Sequence, residues 1–319
     1  MTMNNKRLAI VIPAYKGDYF EETMASIAGQ TCVDFTLYIG NDAGSWNIDK
    51  VVEKYKDKIE IVYKRFDDNM GGEDLVGEWN RTLSLMGEET FFMLFSDDDV
   101  MEPDCIRRFY EELEKFPTYD VYHFNISIIN SKSETMVTRK GFPKVMDAQQ
   151  FYIDNNIYER VDAKMPEFVF RTSKFRETGG FVRFPLAMRT DNATVMNVAK
   201  GGGILTIEGP RIKWRRSGKN VGVLKNEDRD RHIRYLEAYN QFDNWLYKDF
   251  FIPLSPRDKW ANRLRTLMTF ANSDLKVTMK QRIDHLLRTE DIKRHTYLCC
   301  AIPILCLIKK TMRLLIKRA

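Results

Sequence analysis

Three consecutive carboxylates, Asp97, Asp98 and Asp99, follow Ser96 at the end of an apolar run. Side by side they repel one another, and desolvating them without a cation is costly. A hard divalent cation with oxygen ligands relieves both penalties and suits the oxygens of a leaving diphosphate. The other reading is a solvated acidic turn before the helix that Pro103 opens. Asn41-Asp42-Ala43-Gly44 offers an amide and a carboxylate to a ligand's base or ribose edge, or simply a turn, which the same residue types favour. Arg189-Thr190-Asp191-Asn192 puts Asp191 at a helix start, as an N-cap or as a general base for a hydroxyl proton. Trp214-Arg215-Arg216-Ser217 offers two guanidiniums to phosphate oxygens, or is a basic strand end.

The elements around these residues read as an open parallel α/β sheet. RLAIVIPAY (7–15) is a continuous apolar run closed by proline, as a strand buried on both faces would be. FTLYIGNDAG (35–44), IEIVYKRF (59–66) and FFMLFSDDDV (91–100) read as further strands, and helices are expected near 18–30, 48–56, 73–86 and 103–115. Ligands of such sheets bind beyond the carboxyl ends of the strands. Tyr15, Asn41 with Asp42, and Asp97 to Asp99 all fall there. Beyond residue 119 a strand is expected in YDVYHFNISIIN, then a polar loop to about 146, a helix over 147–157 and a strand at 167–171. A helix at about 190–200, two short strands in GILTIEG and RIKWRRS, and a mostly helical stretch from 228 complete the reading.

The chain has 319 residues, enough for about two domains. Its net charge of +5 is concentrated at the C-terminal end, where residues 281–319 hold nine Lys or Arg against three acids. The rest is near neutral, which argues against a nucleic-acid-binding face. Five Cys without a paired CxxC fit a reducing compartment, and the four His (123, 232, 285, 295) show no zinc spacing. The N-terminal apolar run is too short for a secretory leader, so a cytoplasmic body is expected. Residues 296–308 (TYLCCAIPILCLI) fall short of a spanning helix, and Lys309, Lys310, Arg313, Lys317 and Arg318 follow. Such a basic amphipathic tail reads as lying peripherally on an anionic membrane surface, or as a helix packed on the body.

Across residues 7–225 the chain resembles the inverting family-2 glycosyltransferases of the GT-A fold, including those of bacterial polysaccharide and lipopolysaccharide synthesis. The resemblance rests on ordered fragments: LAIVIPAYKGDYFEETMASIAGQT, LYIGNDAG, DDNMGGEDLVGEWNRTL, FMLFSDDDVMEPDCI, FVFRTSKFRETGGF and RTDNATVMNVAKGGG. It implies an open, mostly parallel sheet flanked by helices over 1–225 and a helical C-terminal region over 226–319. It also implies transfer of a sugar from a nucleotide-diphosphate sugar to a saccharide or lipid-linked hydroxyl acceptor, with Mn2+ or Mg2+ as cofactor. By the same resemblance Pro13, Ala14, Tyr15, Asn41, Asp42, Asn80, Asp97, Arg215 and Arg216 would contact the donor. Asp98 and Asp99 would hold the metal, and Asp191 would be the catalytic base. Asn41, Ser96 and Thr190 stand where the family usually has acids, and no His occurs near 214–220. A non-catalytic nucleotide- or sugar-binding module and an aspartyl phosphatase are the alternatives.

Overall fold

The computed structural model describes residues 7–218, 228–272 and 275–307. Ten strands form one sheet among these residues: β1 (Leu8–Ala14), β2 (Thr36–Asn41), β3 (Ile61–Arg65), β4 (Phe91–Leu94), β5 (Val100–Met101), β6 (Val121–Ile129), β7 (Thr135–Thr138), β8 (Val145–Met146), β9 (Phe168–Arg171) and β10 (Ile204–Arg215). Their order is β3-β2-β1-β4-β9-β6-β10-β5, with β7 on β6 and β8 on β10. The run β3-β2-β1-β4 is parallel throughout. Strand β9 inserts antiparallel between β4 and β6, and β6 pairs β10 in parallel. Strands β1, β2 and β4 carry almost unbroken buried runs because helices cover both faces.

The helices before β10 are α1 (Phe20–Ala28), α2 (Trp46–Tyr55), α3 (Leu75–Leu83), α4 (Cys105–Lys115), α5 (Ala148–Phe151), α6 (Thr172–Glu177) and α7 (Thr190–Val198). Helix α1 buries Phe20, Thr23, Met24 and Ile27, a one-face helical period, and opens with Glu21 and Glu22 in its first turn. Ser45 caps α2 and Asp74 caps α3, each side chain accepting a first-turn backbone N–H. Ile10, Ile12, Leu37, Ile39, Met93 and Phe109 belong to the core these elements enclose.

Three expectations need correction. Residues 204–215 form one strand rather than two, carrying an irregularity between Ile207 and Ile212, within which Gly209 takes a positive φ of 106°. The expected loop to residue 146 contains β7 and β8, too short to show a period. The expected helix at 147–157 divides into α5 and a π-helical turn, Tyr152–Ile157.

The chain separates into two compact units that are not contiguous in sequence. Of the described residues, the first takes those up to 151, 159–182 and 191–218, and the second takes 152–158, 183–190 and those from 228. The boundary expected at 225 lies in 219–227, outside the described residues. The second unit is built on α8 (Arg229–Trp245), α9 (Pro256–Phe270), α10 (Met279–Leu286) and α11 (Glu290–Lys293), packed around Leu236, Leu267, Phe270, Leu286, Ile292 and Ile302. A 3-10 turn, Thr296–Cys300, and a helical stretch at 301–307 follow. No helix among the described residues is long and apolar enough to cross a membrane. The tail's basic residues from 309 onward lie outside the described residues.

Candidate active site

Strands β1 and β4 pair in parallel from Leu8↔Phe91 to Val11↔Leu94, so both end on one edge of the sheet. The acidic turn after β4 is tied to that edge. Asp97 Oδ2 accepts the backbone N–H groups of Tyr15 (2.8 Å) and Lys16 (2.7 Å). The Lys16 ammonium stands 3.5 Å from Asp98 Oδ2. Asp99 Oδ1 accepts from the backbone N–H of Arg215 at 2.7 Å, and the Asp99 carbonyl accepts from Thr23 Oγ1 at 2.8 Å. Asp99 Oδ2 is buried with no hydrogen-bond partner among the described residues, while the Ser96 side chain lies beside the carboxyl group.

All three carboxylates are buried. Burial first, and the charge of Asp98 second, push the Asp97 carboxyl up to about 6, and the same causes push Asp99 well above the ordinary carboxylate range. Lys16 alone does not neutralise the cluster. This donor set fits a divalent cation of the kind that takes one or two protein carboxylates and fills its remaining positions with phosphate oxygens and water. The Asp98 carboxylate and the orphaned Asp99 oxygen are the groups that would hold it. No cage of three or more His, Cys, Asp or Glu side chains occurs among the described residues.

At the end of β2 the two polar side chains have structural partners. Asn41 Nδ2 donates to Tyr63 Oη (2.8 Å), and Asn41 Oδ1 accepts from Gly44 N (2.8 Å). Gly44 approaches the first strand's end so closely that a Cβ there would lie 2.4 Å from the Tyr15 carbonyl oxygen. The Asp42 carboxylate accepts from Met70 N (2.7 Å), Gly71 N (2.9 Å) and Arg81 Nη2 (2.5 Å). It therefore holds the loop before α3 in place. Arg81 also pairs with Glu78 and Asp68 and lies over the Phe66 ring, 3.9 Å from its centroid. Its importance is missed in the sequence. Only the i,i+3 pair with Glu78 carries a local signal, and the reach to Asp42 spans 39 residues. Asn80, its neighbour on α3, is exposed, as is Tyr15 at 50%, while Pro13 is half-buried and Ala14 buried.

The two arginines after Trp214 part company because successive residues of a strand face opposite ways. Arg215 is fully buried. Its Nε donates to the Asp98 carbonyl (2.7 Å), Nη1 to the Asn130 carbonyl (3.1 Å) and Ser133 Oγ (2.9 Å), and Nη2 to Glu22 Oε2 (2.6 Å). The guanidinium also sits over Tyr19, 4.3 Å from the ring centroid. Arg215 was expected on a donor's phosphates, but the structure makes it the brace of the acidic turn. Arg216 is exposed.

Asp191 lies within the first turn of α7, one residue after its start, and its Oδ1 accepts from Asn192 N at 2.8 Å. It shares a unit with the acidic turn. The buried Thr190 hydroxyl before it has no hydrogen-bond partner among the described residues. Nearby, Glu167 and His123 form a fully buried pair, Oε1 to Nε2 at 3.0 Å. Burial drives the Glu167 carboxyl well above its ordinary range, with the Asp191 charge adding to the rise, and drives the His123 imidazole down to about 3. Burial thus disfavours the charged form of both groups. No sequence signal joins these two residues, 44 apart, because strand pairing alone brings them together.

A family model described as glycosyl transferase family 2 matches residues 9–179, more than half of the chain. Over 144 residues, 44% of this chain, the sequence is 26% identical to poly(ribitol-phosphate) beta-N-acetylglucosaminyltransferase TarS of Staphylococcus aureus, and the match spans only 23% of that protein's length. Among solved structures, S. aureus TarS 1–349 in complex with UDP-GlcNAc is similar at a TM-score of 0.68 and 15% identity, covering 96% of this chain and 91% of that one. The mannosyltransferase PcManGT of Pyrobaculum calidifontis, in complex with GDP-Man and Mn2+, is similar at a TM-score of 0.51 and 13% identity, covering 95% and 86%. The fold is that of the GT-A glycosyltransferases.

Proposed function

Because the chain belongs to glycosyl transferase family 2, we propose that it transfers a sugar from a nucleotide-diphosphate sugar to a hydroxyl acceptor, inverting the anomeric carbon. The observation that carries this reading is the buried acidic turn. Three carboxylates at a parallel sheet's carboxyl edge are under-neutralised and are fixed to the ends of β1 and β10 by Asp97, Asp99 and Arg215. The similar solved proteins were captured with UDP-GlcNAc and with GDP-Man and Mn2+, which supports a nucleoside-diphosphate sugar as the donor class.

In this reading Pro13, Ala14 and Tyr15 line the nucleotide site, with Asn41 and the exposed Asn80 at its margin. Asp42 shapes that site through the 69–72 loop, and Arg216 reaches the phosphates. A divalent cation held by Asp98 and Asp99 would supply positive charge to the departing diphosphate. Asp191 takes the proton of the acceptor hydroxyl. The acceptor oxygen bonds the anomeric carbon from the face opposite the leaving group, and the carbon–oxygen bond to the diphosphate breaks with its electron pair leaving on the nucleotide. The acceptor class is a saccharide or lipid-linked saccharide of cell-surface polysaccharide synthesis. The basic tail suits a cytoplasmic protein resting peripherally on the inner membrane face.

Thermal shift and nucleotide release against UDP-, GDP- and dTDP-sugars, with and without Mn2+, test the reading. A manganese-dependent rise in melting temperature with one nucleotide class, together with its release, is expected. Asp191→Asn is expected to keep that shift and lose at least about 100-fold in turnover, the scale of general-base catalysis. Binding without release under any donor and acceptor favours a non-catalytic module, and full activity of Asp191→Asn removes that residue from the chemistry.

A further inference from the structure

Strand β1 ends in a stretch of backbone that is held from two sides. Tyr15 N and Lys16 N both donate to Asp97 Oδ2, at 2.8 and 2.7 Å. From the other side the Tyr15 carbonyl accepts from Ser45 N at 3.2 Å, and the Gly17 carbonyl from Asn47 Nδ2 at 3.1 Å. Gly17 packs so closely on the start of α2 that a Cβ there would lie 2.9 Å from Ser45 Oγ. The backbone that carries Lys16 is therefore fixed, and every residue named here belongs to the first unit.

The Lys16 side chain is held far more loosely. Its ammonium meets Asp98 Oδ2 at 3.5 Å, longer than the about 2.7–3.2 Å of a well-formed bond. A quarter of that side chain is exposed, against 6% for Asp98. Arg215, the other cation on the acidic turn, is committed by contrast: fully buried, it donates to the Asp98 and Asn130 carbonyls, Ser133 and Glu22. An ammonium has three donors, so one long contact with Asp98 leaves it able to take a second anion.

An anion approaching three carboxylates is repelled unless positive charge meets it. In the reading given above, Asp98 helps to hold the cation that serves the diphosphate. A diphosphate on that cation comes beside the very carboxylate that Lys16 reaches. Lysine suits phosphate oxygens as a point charge on a flexible stem. We infer that Lys16 is a binding residue for the donor's diphosphate, presented by the fixed end of β1 and serving Asp98 and a phosphate oxygen together. The inference rests on the reading of the donor as a nucleotide-diphosphate sugar.

The test uses the full chain and reads UDP and uridine affinity from thermal shift over graded ligand, once with Mn2+ and once with EDTA. GDP and guanosine take their place where the unaltered chain prefers them. Lys16→Met removes a charge-assisted bond and is expected to weaken UDP about 10-fold in both buffers, with uridine unchanged within about twofold. Lys16→Arg keeps the charge and is expected to bind UDP within about threefold of the unaltered chain. Lys16→Gln carries the test where circular dichroism shows Lys16→Met unfolded. A merely structural role would weaken uridine as much as UDP, so an equal loss overturns the inference. UDP affinity of Lys16→Met within twofold of the unaltered chain overturns it too, and leaves the donor class standing. A loss confined to the Mn2+ buffer puts the effect on the cation's carboxylates and also overturns it. Failure of the unaltered chain to bind UDP or GDP in either buffer removes the donor reading and the inference together.

Discussion

Replacing Arg215 by methionine isolates the brace behind the acidic turn. The side chain is fully buried and gives hydrogen bonds to the Asp98 carbonyl, the Asn130 carbonyl, Ser133 Oγ and Glu22 Oε2. Charge-assisted bonds contribute about 1.5–3 kcal/mol each, but they do not add when they share one group. Breaking a buried ion pair by removing one partner costs about 3–5 kcal/mol. Glu22 remains 40% exposed and can rehydrate, and methionine refills much of the volume. The expected loss for Arg215→Met is therefore near the lower end, about 3 kcal/mol. Arg215→Lys should lose about half of that, because one ammonium cannot serve partners arranged for a planar fork. Glu22→Gln should cost less than about 1 kcal/mol, since the partly exposed carboxylate is well screened. Urea unfolding at neutral pH, with the midpoint read at constant slope, measures all three. A loss below about 1 kcal/mol for Arg215→Met, or a loss for Glu22→Gln equal to it, would refute the brace.

The remaining expectations concern the helical unit. Burial pushes the Asp243 carboxyl up to about 7, against 3.8 ordinarily, with Thr266 Oγ1 donating to it at 3.0 Å and Asp291 nearby raising it further. Between about pH 4 and 7 the unfolded chain has given up this proton and the folded chain keeps it, so stability falls as pH rises through that window, by up to about 4 kcal/mol. Asp243→Asn should therefore melt higher than the unaltered chain at pH 8 and close to it at pH 4.5, and equal slopes across that range would show the group is not the cause. For the tail, the full chain should float with vesicles of anionic phospholipid at low salt and be released at high salt, whereas a chain ending at 307 should not float; equal flotation of the two would dismiss the tail as the membrane contact.

The parallel half of the sheet is legible in the sequence because burial on both faces leaves uninterrupted apolar runs, as in LAIVIPA and FFML. The acidic turn is legible for the converse reason: three adjacent acids after such a run need compensation. What the sequence conceals is pairing over distance. Strand β9 inserts antiparallel into an otherwise parallel run, and four residues give no period from which to read its direction. The roles of Arg215 and Arg216 look interchangeable until the irregularity in β10 fixes which of them faces inward. Asp42 reads as a ligand contact by type and position, yet its oxygens meet Met70, Gly71 and Arg81, none of which the local sequence ties to it.

The interleaving of the two units has a consequence during synthesis. Among the described residues the chain passes from one unit to the other at 151/152, 158/159, 182/183 and 190/191. A ribosome delivers β1 to β9 and the acidic turn first, then residues 183–190, then β10 with Arg215, and Tyr239 and Phe242, which hold Arg189 in place, only some fifty residues after Arg189. Until that late helix emerges from the exit tunnel, the nascent sheet has its acidic edge assembled while the stretch leading into α7 has nothing to grip.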